Sequence, residues 1–310
     1  MKTGAHSIEL LARFALKEMQ DSVTSIEFIE DGSTSSAYRI RGEASDYVLR
    51  VPAIDGRKRA TYESDFAIRQ ALAHDTDHVA GPLLTNEVVN DQRFGPWALD
   101  TFCRGTNPDR GKLPSKVARQ LGALLRALHS LPVSGFGSLT NTRSELRGRF
   151  ESRATGVLSR FESPWPFSNG PLAEHPCTQS NKRLVGELLA LESDLREFVE
   201  QGEPSIVHSD LHEKQFLMDN DELVAVLDFN EAVALRSQWD LGSVLYFHGS
   251  ECLEEVLHGY APGAENDSSL IGSTRLAAIL IALHHGNRGA ILARPHRIES
   301  ATAFLSAELL

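Results

Sequence analysis

Apolar residues near the start of the chain recur at helical spacing. Ile8, Leu11, Ala12 and Ala15 form one stripe, Ser7 stands where a cap would, and Glu9 falls in the first turn, so a helix is expected to open the chain. The period then shortens to two. Ser25 to Glu30 alternates polar and apolar, with Ile26 and Phe28 on one face, and Ala37 to Ile40 resumes the alternation after a tract of small residues. Tyr47 to Val51 reads as a third strand stopped by Pro52. A helix with Tyr62, Phe66, Ile68 and Leu72 follows. Strand-like runs broken by Asn90-Asp91 and Gly95-Pro96 then extend to Phe102.

From Ser115 the pattern turns helical, with Val117, Leu121, Leu124, Leu125 and Leu128 on one face. Arg143 to Leu158 and Asn181 to Glu200 are expected to be further helices, with a Pro- and Ser-rich loop from Ser163 to Pro176 between them. Leu223 to Phe229 reads as a strand, and helices resume from about Asp240 to the end. The order predicts an α+β chain: a small antiparallel β-rich N-lobe over 1–104, then a larger, mostly helical C-lobe over 105–310.

Composition narrows the possibilities. The 310 residues are 41% hydrophobic and 24% charged, ordinary for a globular protein. Three cysteines, widely spaced and with no C-x-x-C pair, indicate neither a disulfide framework nor zinc, and suit a reduced, cytoplasmic protein. No signal-peptide pattern opens the chain, and the apolar run Leu276 to Leu283 falls short of the roughly 18 residues a membrane span needs. A net charge of −11 argues against nucleic acid as a partner and is compatible with a cationic small molecule or simply with solubility.

The candidate chemistry centres on His208-Ser209-Asp210-Leu211-His212-Glu213-Lys214-Gln215. Asp228 follows at the end of an apolar strand, and Trp239-Asp240-Leu241 opens a later helix. A metal site from His208, His212 and Glu213 would need a further ligand, and none stands out. In their order these segments resemble the catalytic core of the aminoglycoside phosphotransferase and choline kinase-like family, and the element order follows that family over nearly the whole chain. The resemblance implies a protein-kinase-like two-lobed fold and a Mg-dependent kinase. Such an enzyme moves the γ-phosphoryl group of ATP or GTP to a hydroxyl of a small molecule, a reaction that asks mainly for positioning and charge neutralisation. It implies that Asp210 orients the acceptor hydroxyl and takes its proton, and that Asp228 and Gln215 hold Mg²⁺. His208 would support the loop and Asp240 would hold it from below. The family usually has Asn where this chain has Gln215.

The same resemblance assigns parts to the N-lobe. Gly32, Ser33, Thr34, Ser35 and Ser36 would approach the nucleotide phosphates with backbone N–H groups and hydroxyls, although a simple hairpin turn also explains them. Arg50 occupies the strand position where kinases usually place Lys, and Glu63 would be its ion-pair partner, with Asp65 close by. Leu99 to Gly105 would form the hinge that meets the purine edge.

For the acceptor, Glu231, Glu251, Glu254 and Glu255 are candidate acidic lining residues that would suit an aminoglycoside. An apolar stretch around Leu276 to Leu283 would suit a macrolide instead. Amino-alcohol and sugar metabolites stay open, and antibiotic resistance follows only if the acceptor is an antibiotic. The Arg50 and Gln215 departures leave a nucleotide-binding pseudokinase as the alternative. Phe229-Asn230-Glu231 after Asp228, with no A-P-E segment, speaks against a protein kinase.

Overall fold

A computed structural model describes residues 5–32, 35–53, 62–91, 93–109, 111–142, 145–159 and 172–310. The chain divides into two compact units. The first holds Met1–Thr106 with Phe216–Asp219 and Leu223–Asn230; the second holds Asn107–Gln215, Asn220–Glu222 and Glu231–Leu310. The sequence placed a single cut between 104 and 105. The difference lies in one hairpin that pairs back onto the first unit, through Thr106 with Met218 and Val79 with Val226.

In the first unit, α1 (Ala5–Glu18) precedes β1 (Val23–Asp31), β2 (Ser35–Gly42), β3 (Asp46–Pro52), α2 (Glu63–Leu72), β4 (Pro82–Thr85) and β5 (Ala98–Thr101). The strands form one antiparallel sheet in the order β1-β2-β3-β5-β4. The stripe of α1, Ile8, Leu11, Ala12, Ala15 and Leu16, packs with Ile40, Tyr47, Leu49, Val51, Trp97 and Leu99. The helix already runs at Ala5, so Ser7 lies inside it and does not cap it. Alternation along β3 buries Tyr47, Leu49 and Val51 on one face, which leaves Val48 and Arg50 on the other. Pairing of Val48 with Asp100 and of Arg50 with Ala98 then makes Arg50 and Asp100 diagonal neighbours on that second face.

The second unit begins with α3 (Ser115–Ser130), β6 (Phe136–Thr142), β7 (Glu145–Phe150), α4 (Arg153–Leu158), α5 (Pro176–Ser180), α6 (Leu184–Ala190), α7 (Glu192–Glu200) and β8 (Ser205–Val207). The hairpin β9 (Phe216–Asp219) and β10 (Glu222–Val226) follows. The chain ends with β11 (Val233–Leu235), α8 (Gln238–His248), α9 (Ser250–Tyr260), α10 (Ser268–Ile291) and α11 (Pro295–Leu309). A four-stranded sheet runs β7-β6-β11-β8. The apolar core joins α10 and α11 to residues of α5, α6 and α7.

Two sequence expectations change here. Arg143 to Leu158 is not one helix: 145–150 is a strand paired with β6, and only 153–158 is helical. The alternation that decides it is Leu146, Gly148 and Phe150 against exposed Glu145, Arg147 and Arg149. Asn181 to Glu200 is two helices that meet at Leu191. Of the expected loop from Ser163 to Pro176, residues 163–171 lie outside the described residues.

Helix α3 and α9 approach unusually closely. A Cβ on Gly122 would lie 2.0 Å from the Val256 carbonyl oxygen, and one on Gly259 would lie 2.0 Å from that of Arg119. Only glycine fits at either position. Among the described residues, no helix is long and apolar enough to cross a membrane.

Candidate active site

The loop carrying Asp210 is pinned on both sides by α8. Fully buried Asp240 accepts the His208 N–H at Oδ2 (2.8 Å) and the Ser209 N–H at Oδ1 (2.7 Å). Ser243 accepts the Leu211 N–H at 3.2 Å, and His248 Nε2 donates to the Leu211 carbonyl at 2.9 Å. One helix thus fixes the backbone before and after Asp210. The Asp210 side chain itself remains 34% exposed. Asp240 also meets His129 Nε2 at 3.0 Å, and His129 Nδ1 lies 2.9 Å from the Tyr260 hydroxyl. The contact of His129 with the loop anchor joins residues more than a hundred positions apart.

Around Asp210 the partners are short-range. His212 Nδ1 accepts the Lys214 N–H, so the neutral ring carries its proton on Nε2. That nitrogen lies 3.6 Å from Asp210 Oδ2 and 3.4 Å from the Gln215 amide. The buried Gln215 side chain lies beside His212, whose Nε2–H faces the Asp210 carboxylate and cannot donate to the Gln215 NH2, itself a donor. His208 is buried, with its Nδ1 facing the Asp210 N–H at 3.4 Å.

In the first unit, Arg50 donates through Nε to Asp100 (2.7 Å) and through Nη2 to Asp65 (2.5 Å). Arg69 completes the group, donating to Asp65 (2.6 Å), Asp100 (2.7 Å) and the Ala80 carbonyl (2.8 Å). The expected pair with Glu63 does not form: Glu63 is exposed, and Asp65 is the partner. Two residues along a helix is about 200° around it, so only one of the two can face the sheet. Asp65 shares its buried face with Ile68, Arg69 and Leu72. Arg is longer than the usual Lys and Asp shorter than the usual Glu, so the paired departures compensate in reach. Burial alone would raise the Asp65 carboxyl, but Arg50 and Arg69 bring it down to about 2. Burial also opposes the Arg50 charge, yet Asp100 and Asp65 hold it firmly protonated. Arg69 and Asp100 belong to this buried ion-pair network and were not singled out in the sequence. An acid inside a strand and a base four residues after Asp65 were the available signals.

Tyr62 joins this group. Its ring lies 5.1 Å from the Arg50 guanidinium carbon, and its hydroxyl lies 3.0 Å from Ser35 Oγ. Burial, with the negative charges of Asp65 and Asp228 adding to it against Ser35 and Arg50, raises the phenol to about 12. Gly32 N–H donates to the Ser35 carbonyl at 2.8 Å, closing the turn between β1 and β2. Buried Ser36 donates to Asp31 at 2.6 Å. Ser33 and Thr34 lie outside the described residues.

Asp228 stands just past β10 with φ +61°, and Ser209, next to Asp210, has φ +69°. Left-handed backbone at a non-glycine residue costs about 1–3 kcal/mol and concentrates at functional sites. Asn230 Nδ2 donates to Asp228 Oδ1 at 2.9 Å, while its buried Oδ1 has no hydrogen-bond partner among the described residues. A carboxylate beside an unsatisfied buried amide oxygen is a donor set suited to a hard divalent cation such as Mg²⁺, which also takes phosphate oxygens and water. Among the described residues, no group of three His, Cys, Asp or Glu side chains could hold a metal unaided. That excludes the His208–His212–Glu213 site there. At the expected hinge, Phe102 N–H donates to the Asp46 carbonyl, and Thr106 exchanges two bonds with Met218. Among the described residues, the backbone N–H groups of 103–105 in between make no main-chain hydrogen bond.

Comparison with known proteins identifies the family and the fold. The phosphotransferase enzyme family (APH) matches residues 25–270, and the chain belongs to that family. Aminoglycoside phosphotransferase APH(4)-Ia superimposes with a TM-score of 0.65 at 16% identity, over 97% of this chain and 98% of that one. Spectinomycin phosphotransferase APH(9)-Ia, in complex with ADP and spectinomycin, gives 0.62 at 17% identity, over 96% and 98%. Macrolide 2'-phosphotransferase MphH from Brachybacterium faecium gives 0.58 at 16% identity, over 96% and 98%. At these identities the likeness is one of fold, the protein-kinase-like α+β fold with an antiparallel N-lobe and a helical C-lobe. No curated protein matches the sequence.

Proposed function

We propose that the protein transfers the γ-phosphoryl group of a purine nucleoside triphosphate to a hydroxyl of a small molecule, with Asp210 as the residue that receives the hydroxyl proton. The observation that carries this reading is the loop itself. Asp240, Ser243 and His248 immobilise the backbone around a carboxylate that stays accessible. Such a group can accept a hydrogen bond from an incoming alcohol and take its proton as the new P–O bond forms and the bond to the nucleoside diphosphate breaks. Solved relatives in complex with AMP-PNP, ADP or GDP support a nucleotide donor.

On the donor side, Arg50 keeps Nη1 without a partner among the described residues, and it can meet a phosphate oxygen while its other nitrogens stay on Asp65 and Asp100. Ser35 and the turn at Gly32 would lie against the phosphates, and the backbone of 103–105 would offer hydrogen bonds to the purine. Asp228 and Asn230 would hold Mg²⁺, with Gln215 a further amide candidate. The ion would neutralise the charge on the β- and γ-phosphates.

The test is a coupled nucleotide-consumption screen with ATP and GTP tried separately, over aminoglycosides, macrolides, amino alcohols, sugars and hydroxy acids. Formation of the phosphate ester is read by phosphorus NMR. D210N should lower kcat by about 10²–10⁴-fold while nucleotide still raises Tm. D228A should lose the Mg-dependent part of that rise. Full phosphotransfer by D210N would remove the assigned base.

A further inference from the structure

The surroundings of Asp210 within the second unit are basic and aromatic. The His212 ring lies 5.9 Å from Phe247, and Phe247 lies 5.2 Å from His285 on α10. Tyr246 stacks 5.1 Å from the same histidine. One turn along α10, on the same face, come Arg288 and Gly289. The missing side chain at Gly289 admits Arg297 of α11, whose Cβ would lie 3.0 Å from a Cβ placed there. Arg297 shares its face of α11 with Ala301 and Phe304, and Phe304 reaches Tyr246 at 5.2 Å.

Arg297 is the residue that needs explaining. Arg288 stands in the last turn of α10, where the helix dipole welcomes a cation. Arg297 stands in the first turn of α11, where the dipole repels one, and no acidic residue shares that turn. It is half-buried, and neither it nor Arg294 has an ion pair among the described residues. Burial, then Arg294 and Arg288, lower its pKa, and Asp210 and Tyr246 are the groups that act the other way. Of the four acidic candidates for an acceptor site, Glu231 alone adjoins the Asp210 loop, its carbonyl accepting from Ser209 Oγ at 2.8 Å. Glu251 and Glu254 are exposed, and Glu255 accepts from Arg119 at 2.6 Å.

We propose that Arg297, with Arg288 and Arg294, binds an acidic group of the acceptor, a carboxylate or phosphate, while the hydroxyl of the same molecule faces Asp210. Tyr246, Phe247 and His285 would pack against its carbon frame. The second half of this statement rests on the phosphotransferase reading; the anion site does not.

Two measurements keep the two apart. Inorganic phosphate and gluconate are titrated into the full chain with ADP present, by calorimetry. Each should bind saturably, and R297E should weaken binding by about tenfold or more, the scale of one lost charge-assisted hydrogen bond. R297K should restore part of it and fold with an unchanged Tm. Absence of saturable binding, or binding indifferent to R297E, overturns the proposal. In the turnover screen, hydroxy acids and sugar phosphates are paired with amino alcohols and amino sugars of matched size. Turnover should favour the acidic members, and R297Q should raise KM about tenfold with kcat nearly unchanged. The ranking of carboxylates against phosphates tells the two anion sources apart. Preference for the amino compounds, unaffected by R297Q, overturns the proposal. Anion binding lost in R297E, without turnover of any alcohol, would instead retire the phosphotransferase reading.

Discussion

In the first unit, four charges close on one another. Arg50, Asp65, Arg69 and Asp100 pair in every direction, and none of their side chains is more than 12% exposed. In the second unit, the charges around the loop that carries Asp210 are left open. Asp210 is a third exposed, His212 Nε2 stands 3.6 Å from it, and Arg297 has no ion pair among the described residues. The same residue types serve opposite ends. A sealed network cannot lose one member cheaply, because the partner left behind is a buried charge. An open carboxylate can be changed with little effect on folding, and the loss then appears in turnover.

That contrast can be broken at several points. The largest effect on stability is expected from D65N, which leaves Arg50 and Arg69 short of a counter-charge. A loss of about 3–5 kcal/mol should appear in chemical denaturation, against a change near zero for D210N. Next is D240N, which weakens the anchor under His208 and Ser209. It should lower kcat by about 10- to 100-fold, as misplacement of a reacting group does, while nucleotide affinity holds. An unchanged kcat would show that the loop does not need its anchor.

A smaller effect should appear in the acid limb. Asp65 has its carboxyl lowered from 3.8 to about 2. A depressed carboxylate contributes stability that is complete above the unfolded value and is lost as pH falls through the folded one. The window is therefore between about pH 4 and pH 2, and the contribution is about 2 kcal/mol. Stability against pH in that window should flatten in D65N. The smallest effect is expected at the neighbouring acid: E63Q should change Tm and kcat hardly at all, because Glu63 is exposed and outside the network. A loss as large as that of D65N would reassign the partner of Arg50.

The elements were readable where periodicity was strong. Helix α3 begins and ends where Val117 to Leu128 said it would, and Tyr47 to Val51 is a strand. The hairpin at 136–150 was misread because Arg147, Gly148 and Arg149 hide a period of two behind polar residues and a glycine. Phe28, expected on the packed face of β1, is 51% exposed, because alternation marks a face but not what covers it.

Asp210, Asp228 and Arg50 could be singled out in the sequence because each sits in a local pattern: a loop, a strand end and a strand interior. Local patterns also determined the helix stripes and the order of sheet and helices, since both depend on neighbours within a few residues. Only the tertiary structure decided that Asp65 and not Glu63 answers Arg50, that Arg69 and Asp100 join them, and that Arg297 of α11 packs at Gly289 of α10. Those choices set residues of different elements against one another. They turn on which side of a helix meets which face of a sheet, and spacing along the chain does not record that.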